Sequence, residues 1–405
     1  MNDLNKSTEI FCVFRTMMGE AFKIPENPLN LKTASTDRDL NTLVKDFLDK
    51  LGKTTQDNFD FIINGEIVKG DLRSHLIKHK IENEKNIIIE YAPALNTPQQ
   101  DKNVKTENWL NCFKVKDDLL YSCFFDSTVK VFDKELQEKS NFAVIQSEDE
   151  FVSNTNAFCL LEQDDKELVL GCNYFGELYS FEPNKQKRVK IGDLETTINC
   201  FYTNPFSGNL FCSGDVEGTV SVFNYNFNTK KLQTTKNKEK VHNGAVNGIL
   251  WLNEQELLTI GLDDQLLISD VSTLKQNYNL YLKDTTPSCV EFSPLKNSIL
   301  TGHVNGSIRV FDERSRSKKS TGQFKSHKSL VSKILTNLNK PDTFLSADYD
   351  GKIKVWDFRT TLPIYTVDAH FGKKVFDMCW LGKLNRRDSF CFWIVVSHDG
   401  VQQQQ

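Results

Sequence analysis

Apolar and polar positions alternate with two different rhythms along this chain. Over the first hundred residues the period keeps changing. Glu9-Ile-Phe-Cys-Val-Phe-Arg15 reads as a strand, with Ala21-Phe-Lys-Ile-Pro25 as its hairpin partner. Thr36-Asp-Arg-Asp39 opens a helix with acids in its first turn. Leu40, Leu43, Val44, Phe47, Leu48 and Leu51 recur at helical spacing as its apolar stripe. Phe59-Asp-Phe-Ile-Ile63, the turn Asn64-Gly65 and Glu66-Ile-Val68 form a second strand pair. Residues 72–79 read as a short helix, and Ile87-Ile-Ile-Glu-Tyr91 as the final strand.

That order of β-hairpin, helix, strand and strand predicts an α+β ubiquitin-like β-grasp domain over residues 1–94. Polar residues dominate 95–104, which reads as a linker. No Gly-Gly tail follows Tyr91, so a conjugated modifier is not indicated.

From residue 105 the rhythm becomes regular. A small or acidic turn leads into alternating apolar residues and ends on an aromatic plus an acid or amide. The phrase appears as Asp126-Ser-Thr-Val-Lys-Val-Phe-Asp133, Phe175-Gly-Glu-Leu-Tyr-Ser-Phe-Glu182 and Glu217-Gly-Thr-Val-Ser-Val-Phe-Asn224. It returns as Asp263-Asp-Gln-Leu-Leu-Ile-Ser-Asp270, Asn305-Gly-Ser-Ile-Arg-Val-Phe-Asp312 and Asp350-Gly-Lys-Ile-Lys-Val-Trp-Asp357. The ends lie 49, 42, 46, 42 and 45 residues apart, the period of a WD40 propeller with one four-stranded sheet per blade. Gly or Asx in each turn tolerates the positive φ that a tight hairpin needs. A seventh copy starts at Asp399-Gly400, so the prediction is an all-β seven-bladed WD40 β-propeller over 105–405. Phe392-Trp-Ile-Val-Val396 reads as an inner strand, but Val401-Gln-Gln-Gln-Gln405 replaces the expected alternation. The seventh blade is therefore expected to be truncated or irregular: a closed ring needs a strand from elsewhere to cover that edge, and a glutamine tail buries little apolar area to hold one.

One repeat carries His327, Ser346, Asp350 and Trp356 at the spacing of the hydrogen-bonded WD tetrad. Another has His242, Thr259 and Asp263, with Ser269 in the tryptophan position. Phe175, Glu217 and Asn305 fill the aspartate slot elsewhere. His–Asp beside Ser also suggests a hydrolase, with Ser346 as nucleophile and His327 as base. Recurrence at the blade period favours a buried structural role instead.

Composition narrows the classes further. Charged residues at 26% and hydrophobic ones at 39% exclude wholesale disorder, and a net charge of −4 gives no global case for nucleic-acid or membrane binding. The ten cysteines include no C-x-x-C pair, and Cys12, Cys159, Cys200 and Cys379 sit in apolar runs, so no structural zinc or bound metal is expected. With no basic n-region and no long apolar run, the expectation is a soluble, reduced, intracellular protein without membrane contact. Basic clusters at 229–240 and Arg314-Ser-Arg-Ser-Lys-Lys319 read first as solvated rim, with RNA contact or a nuclear import signal as alternatives. No P-loop, H-E-x-x-H or G-x-S-x-G motif is present, so no enzyme and no small-molecule substrate is expected.

A β-grasp head before a WD40 ring resembles the Ytm-type WD-repeat ribosome biogenesis family, the WD-repeat member of the PeBoW complex. Its Notchless-like head is similar to Phe59-Asp-Phe-Ile-Ile-Asn-Gly-Glu-Ile-Val68 and Asn86-Ile-Ile-Ile-Glu-Tyr91. Its late repeats are similar to Tyr349-Asp-Gly-Lys-Ile-Lys-Val-Trp-Asp-Phe-Arg-Thr-Thr-Leu-Pro-Ile-Tyr365, and to Asp312-Glu-Arg leading to His327-Lys-Ser-Leu-Val331. The resemblance implies a noncatalytic assembly factor for the large ribosomal subunit, active in rRNA processing within nucleolus and nucleoplasm. Its propeller would dock pescadillo-type and Bop-type proteins, and its head the midasin AAA+ ATPase. Midasin holds Mg²⁺ with an open coordination position. The family's metal-contacting glutamate falls on Glu84, with Glu82 as fallback, and the chain would carry no cofactor of its own. A different class is suggested by Trp356-Asp357-Phe358-Arg359 and Phe311-Asp312-Glu313-Arg314, which look like the W-D-x-R box of cullin–RING substrate receptors. Ordinary strand ends are the plainer reading of both.

Overall fold

The computed structural model describes residues 9–16, 22–53, 58–63, 66–68, 70–78, 86–93, 100–104, 108, 110–145, 155–163, 166–282, 285–337, 340–359, 363–369, 373–381, 392–397 and 400–404. They belong to two compact units.

The head contains β1 (Glu9–Arg15), β2 (Leu29–Lys32), α1 (Asp37–Lys50), β3 (Phe59–Ile63), β4 (Glu66–Ile67), α2 (Leu72–Lys78) and β5 (Ile87–Pro93). Its sheet runs β2-β1-β5-β3-β4 with β1 and β5 parallel, the ubiquitin-like β-grasp order. Thr36 caps α1 in a reciprocal box: its N–H donates to Asp39 Oδ2 at 2.8 Å while its Oγ1 accepts from the Asp39 N–H. Leu40, Val44 and Leu48 then turn inward onto Phe14, Phe61 and Tyr91, whereas Leu51 at the helix end stays exposed.

The hairpin partner of β1 is not 21–25. Leu29–Lys32 pairs instead, Glu9 opposite Lys32 and Cys12 opposite Leu29. Pro25 and Pro28 have no N–H to give a ladder, and the N–H of Ile24 goes to the Tyr91 hydroxyl at 3.2 Å. Tyr91 in turn donates to the Phe22 carbonyl at 2.7 Å. On the outward side of the sheet Phe11 and Ile88 remain exposed.

The second unit is a ring of seven four-stranded sheets. Their first strands are Leu110–Lys116, Thr155–Gln163, Ile198–Thr203, Val246–Trp251, Pro287–Ser293, Val331–Thr336 and Met378–Leu381. Each touches the next, and the last touches the first, so they surround the axis in an unbroken cycle. Side chains staple neighbouring blades at this inner wall. Asn199 donates to Val246 O (3.4 Å), Asn247 to Pro287 O (2.9 Å) and Ser288 to Val331 O (2.6 Å), the same strand position three times.

Closure differs from the sequence expectation. Residues 100–104, read as linker, form the outer strand Gln100–Val104 of blade 7, antiparallel to Gly400–Gln404. Val401 lies opposite Val104, Gln402 opposite Asn103 and Gln403 opposite Lys102. Blade 7 is thus four-stranded rather than truncated. Phe392–Ser397 is its second strand, and Met378–Leu381 is the inner one. Ladder bonds are made by backbone groups, so glutamines serve where no apolar pattern announces a strand.

Candidate functional site

The tetrad of blade 6 is a continuous relay. His327 Nδ1 lies 2.7 Å from Asp348 Oδ2, and its Nε2 lies 2.5 Å from Ser346 Oγ. Trp356 Nε1 donates to the same Ser346 Oγ at 2.7 Å. An ionised Asp348 only accepts, so His327 donates from Nδ1 and accepts a hydrogen bond from the Ser346 hydroxyl at Nε2. The aspartate is therefore Asp348 and not Asp350. Asp350 stands further round the turn, its N–H donating to Asp348 Oδ1 at 3.0 Å. In blade 4 the slot matching Asp348 is Gly261, where a Cβ would lie 2.5 Å from His242 Nδ1. There Asp263 reaches back to His242 Nδ1 at 2.9 Å, and Thr259 Oγ1 lies 2.9 Å from Nε2.

Ser346 and Trp356 are fully buried. A serine with both hydrogen-bonding sides occupied and no solvent access cannot attack a substrate, which removes the hydrolase reading of this group. Ser269, in the tryptophan slot of blade 4, has a buried hydroxyl with no partner among the described residues.

These histidines carry a pH signature. Burial holds His242 and His327 below the usual imidazole range and pushes His303 down to about 4. Between pH 6.5 and 4 the unfolded chain therefore binds a proton at His303 that the folded ring refuses, so stability falls as pH falls. His303 contributes on the order of 2 kcal/mol of that loss at pH 5. Thermal unfolding should show a lower midpoint at pH 5 than at pH 7, and His303→Gln should shrink the difference. An unchanged pH slope in the variant would exclude His303 as a source.

The turns after the second strands present a repeated surface. Ser127, Gly176, Gly218, Asp264, Gly306 and Gly351 all hold positive φ in the same slot. Just ahead of it stand Phe125, Tyr174, Phe175, Val216, Leu262 and Val304, between 37% and 61% exposed, with Tyr349 half-buried. Their backbones are pinned identically: the N–H groups of Val216, Leu262, Val304 and Tyr349 donate to Thr197, Ala245, Thr286 and Leu330 O at 2.9–3.1 Å. These turns therefore raise a rigid set of apolar side chains on one face of the ring, the makings of a protein-docking surface. The repeat phrases start at the Asp/Gly turn and so leave out Phe125, Tyr174, Val216, Leu262 and Val304. An apolar residue recurring ahead of each turn was the available signal.

Inside the ring the inner strands bring together a second group that the sequence did not single out. Lys333 Nζ sits 3.0 Å from Asp377 Oδ1, and Asp377 Oδ2 accepts from the Phe113 N–H at 3.3 Å. Nearby Glu291 accepts from Thr336 Oγ1 at 3.2 Å, and burial lifts its carboxyl to about 7. The cluster ties blade 7 to its two neighbours.

Arg359 donates through Nε to Asp357 Oδ1 at 2.8 Å and through a terminal nitrogen to Oδ2, so its guanidinium is engaged within the W-D-x-R segment itself. Asp312 Oδ1 accepts from the Arg314 N–H at 3.0 Å. In the basic cluster after it, Arg316 meets both Glu256 oxygens at 2.9 Å. Glu84 and Glu82 lie outside the described residues, in the stretch between α2 and β5. Among the described residues no three His, Cys, Asp or Glu side chains are grouped to hold a metal ion, and no helix is long and apolar enough to cross a membrane.

Comparison with known proteins adds to this. Residues 10–76 match the NLE (NUC135) domain, and residues 318–357 match the WD domain, G-beta repeat. A ribosome biogenesis protein WDR12 homolog from Arabidopsis thaliana is 22% identical, covering 93% of this chain and 94% of its own length. One from Drosophila yakuba is 24% identical over 89% of this chain and 88% of its own. One from Dictyostelium discoideum is 24% identical over 78% and 77%. The crystal structure of the computationally designed Ika8 protein superposes with a TM-score of 0.55 at 14% identity, covering 74% of this chain and 96% of that one, a likeness of fold alone.

Proposed function

We propose that this chain, which belongs to the Ytm/WDR12-type family of NLE-headed WD-repeat proteins, is a noncatalytic factor in ribosome biogenesis. The observation that carries the reading is the joining of an NLE head to a WD40 ring in one chain, matched by WDR12 homologs over most of their length. In its finer form the factor serves the large subunit and rRNA processing, working in nucleolus and nucleoplasm. The ring is a docking platform for pescadillo-type and Bop-type proteins. Its rigid apolar turn residues supply the anchors that such contacts require.

The head is assigned to the midasin ATPase. Glu84, or Glu82 in its place, would complete the coordination of a Mg²⁺ that midasin holds. One carboxylate oxygen suits a hard cation that keeps its other ligands from the partner. Phe11 and Ile88, exposed on the outward sheet face, offer apolar contact area to the same partner. The cullin–RING alternative is weaker because Arg359 is already held by Asp357.

Affinity purification tests this reading. The intact chain should retain midasin together with pescadillo-type and Bop-type proteins, while a chain beginning at Pro98 should lose midasin alone. Glu84→Ala should reproduce that selective loss. Midasin retained at full strength by Glu84→Ala and by Glu82→Ala would overturn the metal-contact assignment.

A further inference from the structure

The outer strands of the ring differ sharply in charge. Those of blades 2 and 3, Lys187–Asp193 (KRVKIGD) and Lys231–Lys240 (KLQTTKNKEK), together hold seven basic residues against two acidic. The other five, EKSNFA, QNYNLY, GQFK, YTVD and QDKNV, hold three basic against three acidic. In a chain of net charge −4, the basic excess among the outer strands is thus confined to blades 2 and 3. The two strands are neighbours: Leu232 packs beside Gly192, and Lys230 pairs with Glu182 across the blade boundary. Lys231–Lys240 is also the longest outer strand, and its register slips between Thr234 and Lys238, so extra residues bulge out of the ladder there.

Part of the charge on these strands and in the turns ahead of them is consumed internally. Lys190 pairs with Glu177 and with Asp193, Lys185 and Lys230 pair with Glu182, and Arg188 donates to Ala143 O while lying over the Phe181 ring. Lys187, Lys231 and Lys240 are exposed and show no ion pair among the described residues. We propose that this flank of blades 2 and 3 grips the phosphate backbone of double-helical RNA. The choice of RNA over DNA rests on the ribosome biogenesis reading; the preference for phosphate rests on the flank alone.

Chemistry separates this occupant from a protein. Protein interfaces centre on aromatic and arginine anchors and are poor in lysine. Of the large apolar residues on these two strands, only Val189 is exposed. Phosphate binding needs no apolar anchor: it needs mobile cations whose approach releases counterions. The strands also offer no exposed aromatic for base stacking, which argues for a paired RNA rather than an unpaired one.

The test measures binding of the full chain to an RNA duplex of about 20 base pairs across about 50–200 mM salt. Lys187→Gln/Lys231→Gln/Lys240→Gln changes exposed residues only, and an unaltered thermal midpoint confirms that it folds. Binding should weaken at least tenfold at low salt, and the log–log salt slope should fall by about three, one per phosphate contact. No binding by the unmodified chain, or equal binding and slope in the variant, overturns the proposal. So does retention of poly-glutamate in place of the duplex, which would assign the flank to an acidic protein. Tighter binding of the same-sequence DNA duplex overturns the assignment to RNA. The variant leaves the head and the apolar turns untouched, so its retention of protein partners reports separately on the assembly function.

Discussion

Trp356→Ala should lower the stability of the ring by about 3–5 kcal/mol, the range for removing a fully buried tryptophan. Trp356 has no exposed surface, and it stacks on Phe344 at 5.9 Å and meets Phe324 edge-on at 5.2 Å. Its Nε1 also holds Ser346, which holds His327, which holds Asp348. Removing the indole leaves a cavity and takes one bond from a buried relay, two costs that arise together. Trp356→Phe should keep part of the ring packing and lose the hydrogen bond and one fused ring, at a smaller cost of about 1–3 kcal/mol. Chemical unfolding of the two variants beside the parent checks both figures. A loss under about 1 kcal/mol for Trp356→Ala would mean that blade 6 is not anchored through this relay.

The second large effect concerns closure. A chain beginning at Pro98 retains Gln100–Val104 and should remain a soluble monomer. One beginning at Lys105 strips that strand from Gly400–Gln404 and exposes a glutamine-rich edge. Open edges pair with other chains, and glutamine ladders stabilise such stacks. The shorter chain should therefore elute as dimers or aggregates and unfold at a lower temperature. Equal size and equal midpoint for the two chains would remove Gln100–Val104 as the closing strand. The comparison also governs how the head is deleted, because a cut a few residues too late would damage the ring and mimic lost partner binding.

Much of this architecture is legible in the residues. The blades announce themselves because each turn needs one residue at positive φ, and Gly176, Gly218, Gly306 and Gly351 mark it at regular intervals. The stripe from Leu40 to Leu48 gives α1 for the same reason, a geometric demand repeated at fixed spacing. What escaped has no side-chain signature. Gln100–Val104 is held in the ladder by backbone groups, and its one apolar residue, Val104, sets up no alternation to distinguish it from a linker. Asp348 and Asp350 are two residues apart in one turn, and only distance shows that Asp348 reaches His327. Near the N-terminus, two prolines displaced a strand that alternation alone placed too early. The apolar turn residues show the reverse case: visible in the sequence, but meaningless until the ring sets them on one face.

The arrangement of blade 7 also has a consequence for how the molecule is made. Synthesis delivers Gln100–Val104 long before Gly400–Gln404, with about 300 residues translated in between. At roughly 5–20 residues per second, the early segment waits about 15–60 s for its mate. The head can fold during that interval, whereas the ring can only be sealed once Gly400–Gln404 has emerged from the ribosome. Nascent chains therefore pass through a stage with a finished knob, six blades in progress and one orphan strand, which is the stage at which a holding chaperone would have most to protect.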